Sequence, residues 1–132
     1  MFLTKECDYG IRTIRALADG EKKTVESICV LEHIPVQYAY KILKKLERAG
    51  FVQSIRGRDG GYQLVKPLHQ ITLYGIVSAI DENLLLNECL LETSTCIRND
   101  PNEPCTVHIE LERIQEILIA EMQRHTVQDL VP

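Results

Sequence analysis

Three cysteines and a histidine stand close together in the second half of the chain. They are Cys89, Cys96, Cys105 and His108, and the segment that joins them is rich in the turn-forming residues Asn, Asp and Pro. A turn-rich segment can fold its side chains around a common point. Three thiolates at one point would repel one another unless a cationic centre lay between them. These residues therefore predict a site for an iron–sulfur cluster or for zinc.

The spacing of the cysteines does not decide between these two centres. Six residues separate Cys89 from Cys96, and eight separate Cys96 from Cys105. No two cysteines have the C-x-x-C spacing, whereas compact zinc sites usually take two thiols from one tight turn. Structural zinc is therefore the weaker interpretation. Cys7 and Cys29 fall on helix faces and are expected to be small buried residues.

Length and composition indicate one domain with a modest extension. The chain has 132 residues, of which 45% are hydrophobic and 26% charged, with 2 Phe, 5 Tyr and no Trp. This composition argues against disorder and against a large aromatic pocket. The residues that follow Met1 include no apolar run long enough for a signal peptide or a membrane span. A cytoplasmic location is therefore expected, where thiols stay reduced or bind metals.

The two halves of the chain carry opposite charge. Residues 1–66 contain 12 Lys or Arg and 8 Asp or Glu, whereas residues 67–132 contain 3 and 11. The net charges are thus +4 and −8, which add to the −4 of the whole chain. A basic first half predicts binding to a polyanion. Chance clustering of solvated charges is the alternative.

Three amphipathic helices are predicted in the first fifty residues. The first begins after an N-cap at Thr4 and ends before Asp19-Gly20. The second covers residues 24–32, and the third covers residues 36–49 after a turn that ends at Pro35. The side chains expected to be buried in the second helix are Val25, Ile28, Cys29 and Leu31.

The second and third helices can form a helix-turn-helix unit in which the third helix reads DNA. Its apolar positions, expected to face the core, are Tyr38, Ile42, Leu43 and Leu46. Its outer positions, expected to contact base edges and phosphates, are Gln37, Tyr40, Lys41, Lys44, Lys45 and Arg48. A solvated amphipathic helix without a DNA role would show a similar pattern.

A hairpin with a basic tip follows the third helix. Residues 51–55 and 62–65 alternate as strands do, and the turn between them contains Arg56, Gly57 and Arg58. A hairpin placed directly after a DNA-reading helix is a wing. An arginine at its tip suits a narrow minor groove or phosphates.

Several motifs in order closely resemble those of the Rrf-two type winged-helix transcription regulators, which include IscR-, NsrR- and CymR-like members. They are "LTK" at 3–5, "KILKKLERAGFVQSIRGRDGGYQLVKP" at 41–67 and "ITLYGIVSAID" at 71–81. The resemblance covers almost the whole chain. It implies a mainly α, winged helix-turn-helix fold and a repressor rather than an enzyme. The implied DNA contacts are Gln37, Tyr40, Lys41, Arg56, Gly57 and Arg58.

In cluster-binding members of the family, three cysteines of this same segment ligate iron, which implies Cys89, Cys96 and Cys105. An IscR-like arrangement would take His108 as the fourth ligand, and an NsrR-like one would take Asp8 from the partner subunit. A 2Fe-2S cluster with His108 is preferred because nitrogen ligation suits such centres, and a 4Fe-4S cluster with Asp8 stays open. The cluster would sense iron–sulfur status, redox conditions or nitric oxide.

Two other functions stay open. One is a CymR-like regulator that has no cluster and is controlled by a partner protein. A remote one is a metal-dependent enzyme that uses Glu110 as a base.

The last third of the chain predicts a dimerisation helix. Thr72 can cap a helix that ends near Asp81, and an amphipathic pattern runs from about residue 106 to 124. Two copies of the helix at about 106–124 would pair to form a homodimer on a pseudo-palindromic operator. The alternative is that this helix packs within one protomer. The tail after His125 is expected to be frayed or lightly docked. The predicted organisation is a DNA-binding domain (1–81), a cluster segment (82–105) and a dimerisation helix with its tail (106–132).

Overall fold

A computed structural model describes residues 3–132, which form six α-helices and one antiparallel pair of strands. In chain order they are α1 (Lys5–Ala16), α2 (Val25–Glu32), α3 (Val36–Arg48), β1 (Val52–Ile55), β2 (Gly61–Leu64), α4 (Leu73–Ile80), α5 (Thr106–Met122) and α6 (Val127–Leu130). The predicted mainly α fold with a small wing is confirmed. Met1 and Phe2, which belong to the segment expected to lack a signal peptide, lie outside the described residues. Within those residues, no helix is long and apolar enough to cross a membrane.

Threonine caps fix the first residues of three helices. The hydroxyl of Thr4 accepts a hydrogen bond from the backbone N–H of Cys7, at 3.2 Å. Thr24 and Thr72 accept the equivalent bonds from Ser27 and Gly75, at 3.1 and 3.0 Å. Each bond satisfies a backbone donor that the first turn of a helix leaves without a partner. α3 begins instead after Pro35, whose ring sets a φ of −60°.

The core lies where α1 packs against α2, α3 and α4. Its fully buried side chains include Ile14, Leu17, Ile28, Ile42, Leu43, Leu46, Ile76 and Val77. α1 and α4 approach closely at Gly10, where an added Cβ would lie 2.8 Å from Cγ1 of Ile80. Tyr38 is half-buried and meets Tyr9 edge to face, with 5.2 Å between the ring centroids. α3 is thereby held against α1 along its inner side.

Leu31 was expected to be buried in α2, and this prediction is wrong. Its side chain is 54% exposed, whereas Val25, Ile28 and Cys29 are buried as predicted. At 100° per residue, Leu31 lies about a third of a turn from the centre of the face that these three residues form. Ile34, which follows the turn, is buried at the end of α2 in its place.

The C-terminal tail is docked more firmly than the sequence indicates. The backbone N–H of Val127 donates to the carbonyl of Ile71 at 2.7 Å, and the Val127 side chain is only 5% exposed. Thr126 and Asp129 form a reciprocal capping box that closes the single turn of α6. The end of the chain is therefore part of the winged-helix core.

α5 closely matches the predicted helix over residues 106–124. None of its described side chains is buried within the protomer. Val107, Ile114 and Ile117, spaced seven and three residues apart, share one face and are 64%, 39% and 50% exposed. The helix therefore presents an apolar face that the protomer does not cover.

Candidate DNA interface and cysteine segment

The outward face of α3 carries one continuous polar stripe. Gln37, Lys41, Lys44 and Arg48 recur at intervals of four, three and four residues, and all four are exposed. Tyr40 lies beside this stripe and is 46% exposed. Amide, ammonium and guanidinium groups in this arrangement can donate hydrogen bonds to base edges and phosphates.

Lys45 does not lie on this outward stripe, contrary to expectation. Its ammonium Nζ donates to the carbonyl of Ile80 at 2.9 Å and lies 3.2 Å from a carboxylate oxygen of Glu6. Lys45 falls on the side of α3 that meets α1 and the end of α4, which explains its partly buried position. The side chain links three helices.

Glu6 also holds Lys41, with 2.7 Å between Oε1 and Nζ. The hydrogen bond from Lys41 lowers the pKa of the Glu6 carboxyl, and the same bond raises the pKa of Lys41. Both groups are therefore charged at neutral pH. Glu6 lies in the first turn of α1, and no periodic pattern along the chain could have revealed its two partners on α3.

The wing is a two-stranded hairpin in which Val52 pairs with Leu64 and Ile55 with Gly61. Arg56, Gly57 and Arg58 lie at its exposed tip, and Gly57 has a φ of +116°, which glycine adopts readily. Tyr62 exchanges two backbone hydrogen bonds with Lys23, of 2.9 and 2.8 Å. This bridge fixes the wing to the loop before α2, a contact that the sequence did not indicate.

The cysteine segment places its thiols along two adjoining surface cavities. Cys89 and Cys96 line one cavity of about 370 Å³, and Cys105 lines another of about 560 Å³. Ile97 and Asp100 border both. The thiol of Cys105 also caps α5, because it accepts a hydrogen bond from the backbone N–H of His108 at 3.5 Å. The segment is therefore joined directly to the first turn of α5.

One ring nitrogen of His108 is buried. Within the described residues, its Nδ1 is buried and makes no hydrogen bond. Three thiols and a free imidazole nitrogen form a donor set that suits an iron–sulfur cluster or zinc. In residues 3–132, however, no three His, Cys, Asp or Glu side chains converge closely enough to hold a metal ion. The chemistry of the donors fits a metal centre, and Cys89, Cys96, Cys105 and His108 are the residues that could hold it.

Asp8, the other candidate for the fourth ligand, lies on α1. Its carboxylate forms an ion pair with Arg12 at 2.9 Å, and its side chain is 51% exposed. The protomer does not bring Asp8 together with the cysteines.

Cys7 and Cys29 are buried, as predicted, with exposures of 0% and 8%. Burial raises the pKa of the Cys29 thiol above its usual value. Neither residue belongs to the cysteine segment.

Glu110 is poorly suited to act as a catalytic base. Arg113 donates two hydrogen bonds to it, of 3.0 and 2.7 Å, and this pairing lowers the pKa of the Glu110 carboxyl. A base that works near neutral pH needs a pKa raised toward that range. The remote enzyme hypothesis therefore has no base at this position.

The comparisons with known proteins agree with this geometry. The model of the Rrf2 family, described as an iron-dependent transcriptional regulator, matches residues 3–132. The HTH-type transcriptional regulator NsrR of Shouchella clausii is 30% identical over 135 residues, which cover 99% of this chain and 89% of that protein.

Two solved structures support the fold alone. The oxidized form of Staphylococcus aureus CymR aligns with a TM-score of 0.75 and 20% identity over 98% of this chain and 95% of that one. T. potens IscR aligns with a TM-score of 0.72 and 19% identity over 97% and 84%. Members of the matched family are DNA-binding regulators rather than enzymes. The chain belongs to the Rrf2 family of transcriptional regulators.

Proposed function

We propose that this regulator is a repressor that binds a pseudo-palindromic operator as a homodimer, and that an iron–sulfur cluster controls its affinity for DNA. The observation that carries the cluster proposal is the buried Nδ1 of His108, which has no hydrogen-bond partner among residues 3–132 and lies one helical turn beyond Cys105. The description of the family as an iron-dependent transcriptional regulator supports this proposal.

DNA binding is assigned to α3 and the wing. Gln37 and Tyr40 lie near the start of α3 and would reach base edges, while Lys41, Lys44 and Arg48 would contact bases or phosphates. Arg56, Gly57 and Arg58 would enter the adjacent minor groove or follow its phosphates. Lys45, through its bonds to Glu6 and Ile80, would hold α3 in position rather than contact DNA.

The homodimer is assigned to α5. Its exposed apolar face, formed by Val107, Ile114 and Ile117, would pack against the same face of a second copy, as a two-fold axis requires. The dimer would set the distance between two copies of α3, and the operator would repeat with the same spacing.

The cluster is assigned to Cys89, Cys96 and Cys105, with His108 as the fourth ligand and a 2Fe-2S centre preferred. A 4Fe-4S centre with Asp8 of the partner subunit is the alternative. When bound, the cluster would supply a link between the thiolates that is sensitive to iron, oxidants and nitric oxide.

Cys105 connects this segment to the dimer. It caps α5, so a change in its position would alter the first turn of the helix that is proposed to set the spacing of the two DNA-reading units. Coupling of this kind is reciprocal, so operator DNA would also alter the stability of the cluster.

Anaerobic purification followed by absorption spectroscopy and by iron and sulfide counts tests the cluster proposal. The wild type is expected to be coloured and to contain iron and sulfide in equal amounts. His108→Ala should lose the cluster whereas Asp8→Ala keeps it, and the reverse result would assign Asp8. Zinc in place of iron would contradict the proposal. Colourless protein that still binds operator DNA would favour the regulator controlled by a partner protein.

A further inference from the structure

Glu6 of α1 contacts two lysines of the DNA-reading helix at once. One carboxylate oxygen lies 2.7 Å from Nζ of Lys41, and the other lies 3.2 Å from Nζ of Lys45. The Glu6 side chain is only 26% exposed. Solvent therefore weakens these two ion pairs less than it weakens a fully exposed pair.

The two lysines differ in what else they can reach. Lys45 donates to the carbonyl of Ile80 and is 30% exposed, so it is held inside the protein. Lys41 is 57% exposed and lies between Gln37 and Lys44 in the outward stripe of α3. The ammonium of Lys41 therefore faces both Glu6 and the side of α3 assigned to DNA.

We propose that Glu6 competes with DNA phosphates for the ammonium group of Lys41 and thereby lowers the affinity of the protein for DNA of random sequence. The inference rests on the proposed function, because it requires α3 to face DNA. Random-sequence binding depends almost entirely on lysine and arginine that neutralise phosphates and release counterions. A lysine that a carboxylate already neutralises contributes little to that release. Glu6 is thus a positioning residue that acts through Lys41.

The salt dependence of binding to a random-sequence duplex measures this effect directly. Glu6→Gln keeps the size of the side chain but removes its charge, which frees Lys41 for a phosphate. The slope of the logarithm of affinity against the logarithm of salt concentration should steepen by about 0.9 for each protomer on the DNA. Affinity near 0.1 M salt should rise roughly three- to tenfold. Fluorescence anisotropy over a salt series gives both quantities.

Glu47→Gln is the matched control. Glu47 lies on α3 itself and is exposed, and its carboxylate makes no ion pair with residues 3–132. The substitution changes the net charge equally and should leave the slope close to that of the wild type. A slope change as large as that of Glu6→Gln would overturn the proposal, because loss of any nearby charge would then suffice.

A double-mutant cycle tests whether Glu6 acts through Lys41. In a Lys41→Gln background, Glu6→Gln should no longer steepen the slope. A change that persists without Lys41, or an unchanged slope in the single variant, would overturn the inference.

Lys41→Gln alone gives a second test that does not depend on the folding of Glu6→Gln. Because Glu6 already holds Lys41, removal of the ammonium should leave the slope for random DNA nearly unchanged. A slope that becomes shallower by about 0.9 per protomer would overturn the inference. If the wild type binds neither random DNA nor duplexes selected from a random pool, the proposed function itself fails. Binding with unaltered slopes defeats only the role of Glu6.

Discussion

The basic side chains of α3 differ in what they contact. Lys44 and Arg48 point outward, Lys41 is shared between Glu6 and the outward stripe, and Lys45 is held by Ile80. Helical periodicity separates the outer positions from the buried ones, and it predicted the core positions Ile42, Leu43 and Leu46. The same periodicity places Lys45 seven residues from Tyr38, on the inner side of α3, but it could not predict the partner of this lysine, because the carboxylate lies 39 positions earlier in the chain.

The five cysteines are expected to react with an alkylating agent in two classes. In reduced protein without a cluster, Cys89, Cys96 and Cys105 should react quickly, because all three are at least partly exposed. Cys7 and Cys29 should react slowly, because both are buried and burial raises the pKa of the Cys29 thiol. Mass spectrometry over a time course measures the number of modified thiols.

Denaturant provides the control for this experiment, since all five thiols should react at similar rates once the chain is unfolded. Fast modification of Cys7 or Cys29 in the folded protein would contradict the described core.

α1 to α5 could be predicted from the sequence, whereas α6 could not. Apolar periodicity predicts these five helices, and the N-caps Thr4, Thr24 and Thr72 mark where three of them begin. α6 has four residues, which is too few to show a period, and its position depends on the bond between Val127 and Ile71. The sequence also showed which side chains of the cysteine segment could bind a metal, but not how far apart they lie. A turn-rich segment has no periodicity from which side-chain positions could be predicted.

Val127→Ala should destabilise the whole winged-helix unit rather than loosen the tail alone. The substitution removes two buried methyl groups beside Ile71 and leaves a cavity, at a cost of about 2 kcal/mol in the free energy of unfolding. Urea unfolding followed by circular dichroism measures this cost. Leu130→Ala, at a position 51% exposed, is the control and should change stability much less. Equal stability of Val127→Ala and wild type would contradict the docked tail.

At the scale of the whole molecule, the two halves of the chain carry opposite charge. The basic half contains α3 and the wing, and the acidic half contains the cysteine segment and α5. Glu112 and Glu116 lie on the opposite side of α5 and would stay in solvent if two copies paired along this apolar face. DNA would then lie away from the acidic half.

Ile117→Glu should convert the proposed dimer to a monomer. It would place a carboxylate on the apolar face of α5, where an unpaired buried charge is costly. Sedimentation velocity should show a smaller species, while circular dichroism stays that of the wild type because Ile117 is half exposed in the protomer. Gln123→Glu introduces the same charge at the end of α5 and should remain dimeric. A wild-type monomer, or a dimer that survives Ile117→Glu, would contradict this assembly.

The affinity of the cluster-loaded and cluster-free forms for the same operator tests the central claim most directly. Duplexes selected from a random pool under anaerobic conditions supply the operator, and fluorescence anisotropy at one fixed salt concentration measures both affinities. Control by the cluster predicts that the two affinities differ by about fivefold or more. Equal affinities of the two forms for every selected operator would contradict it.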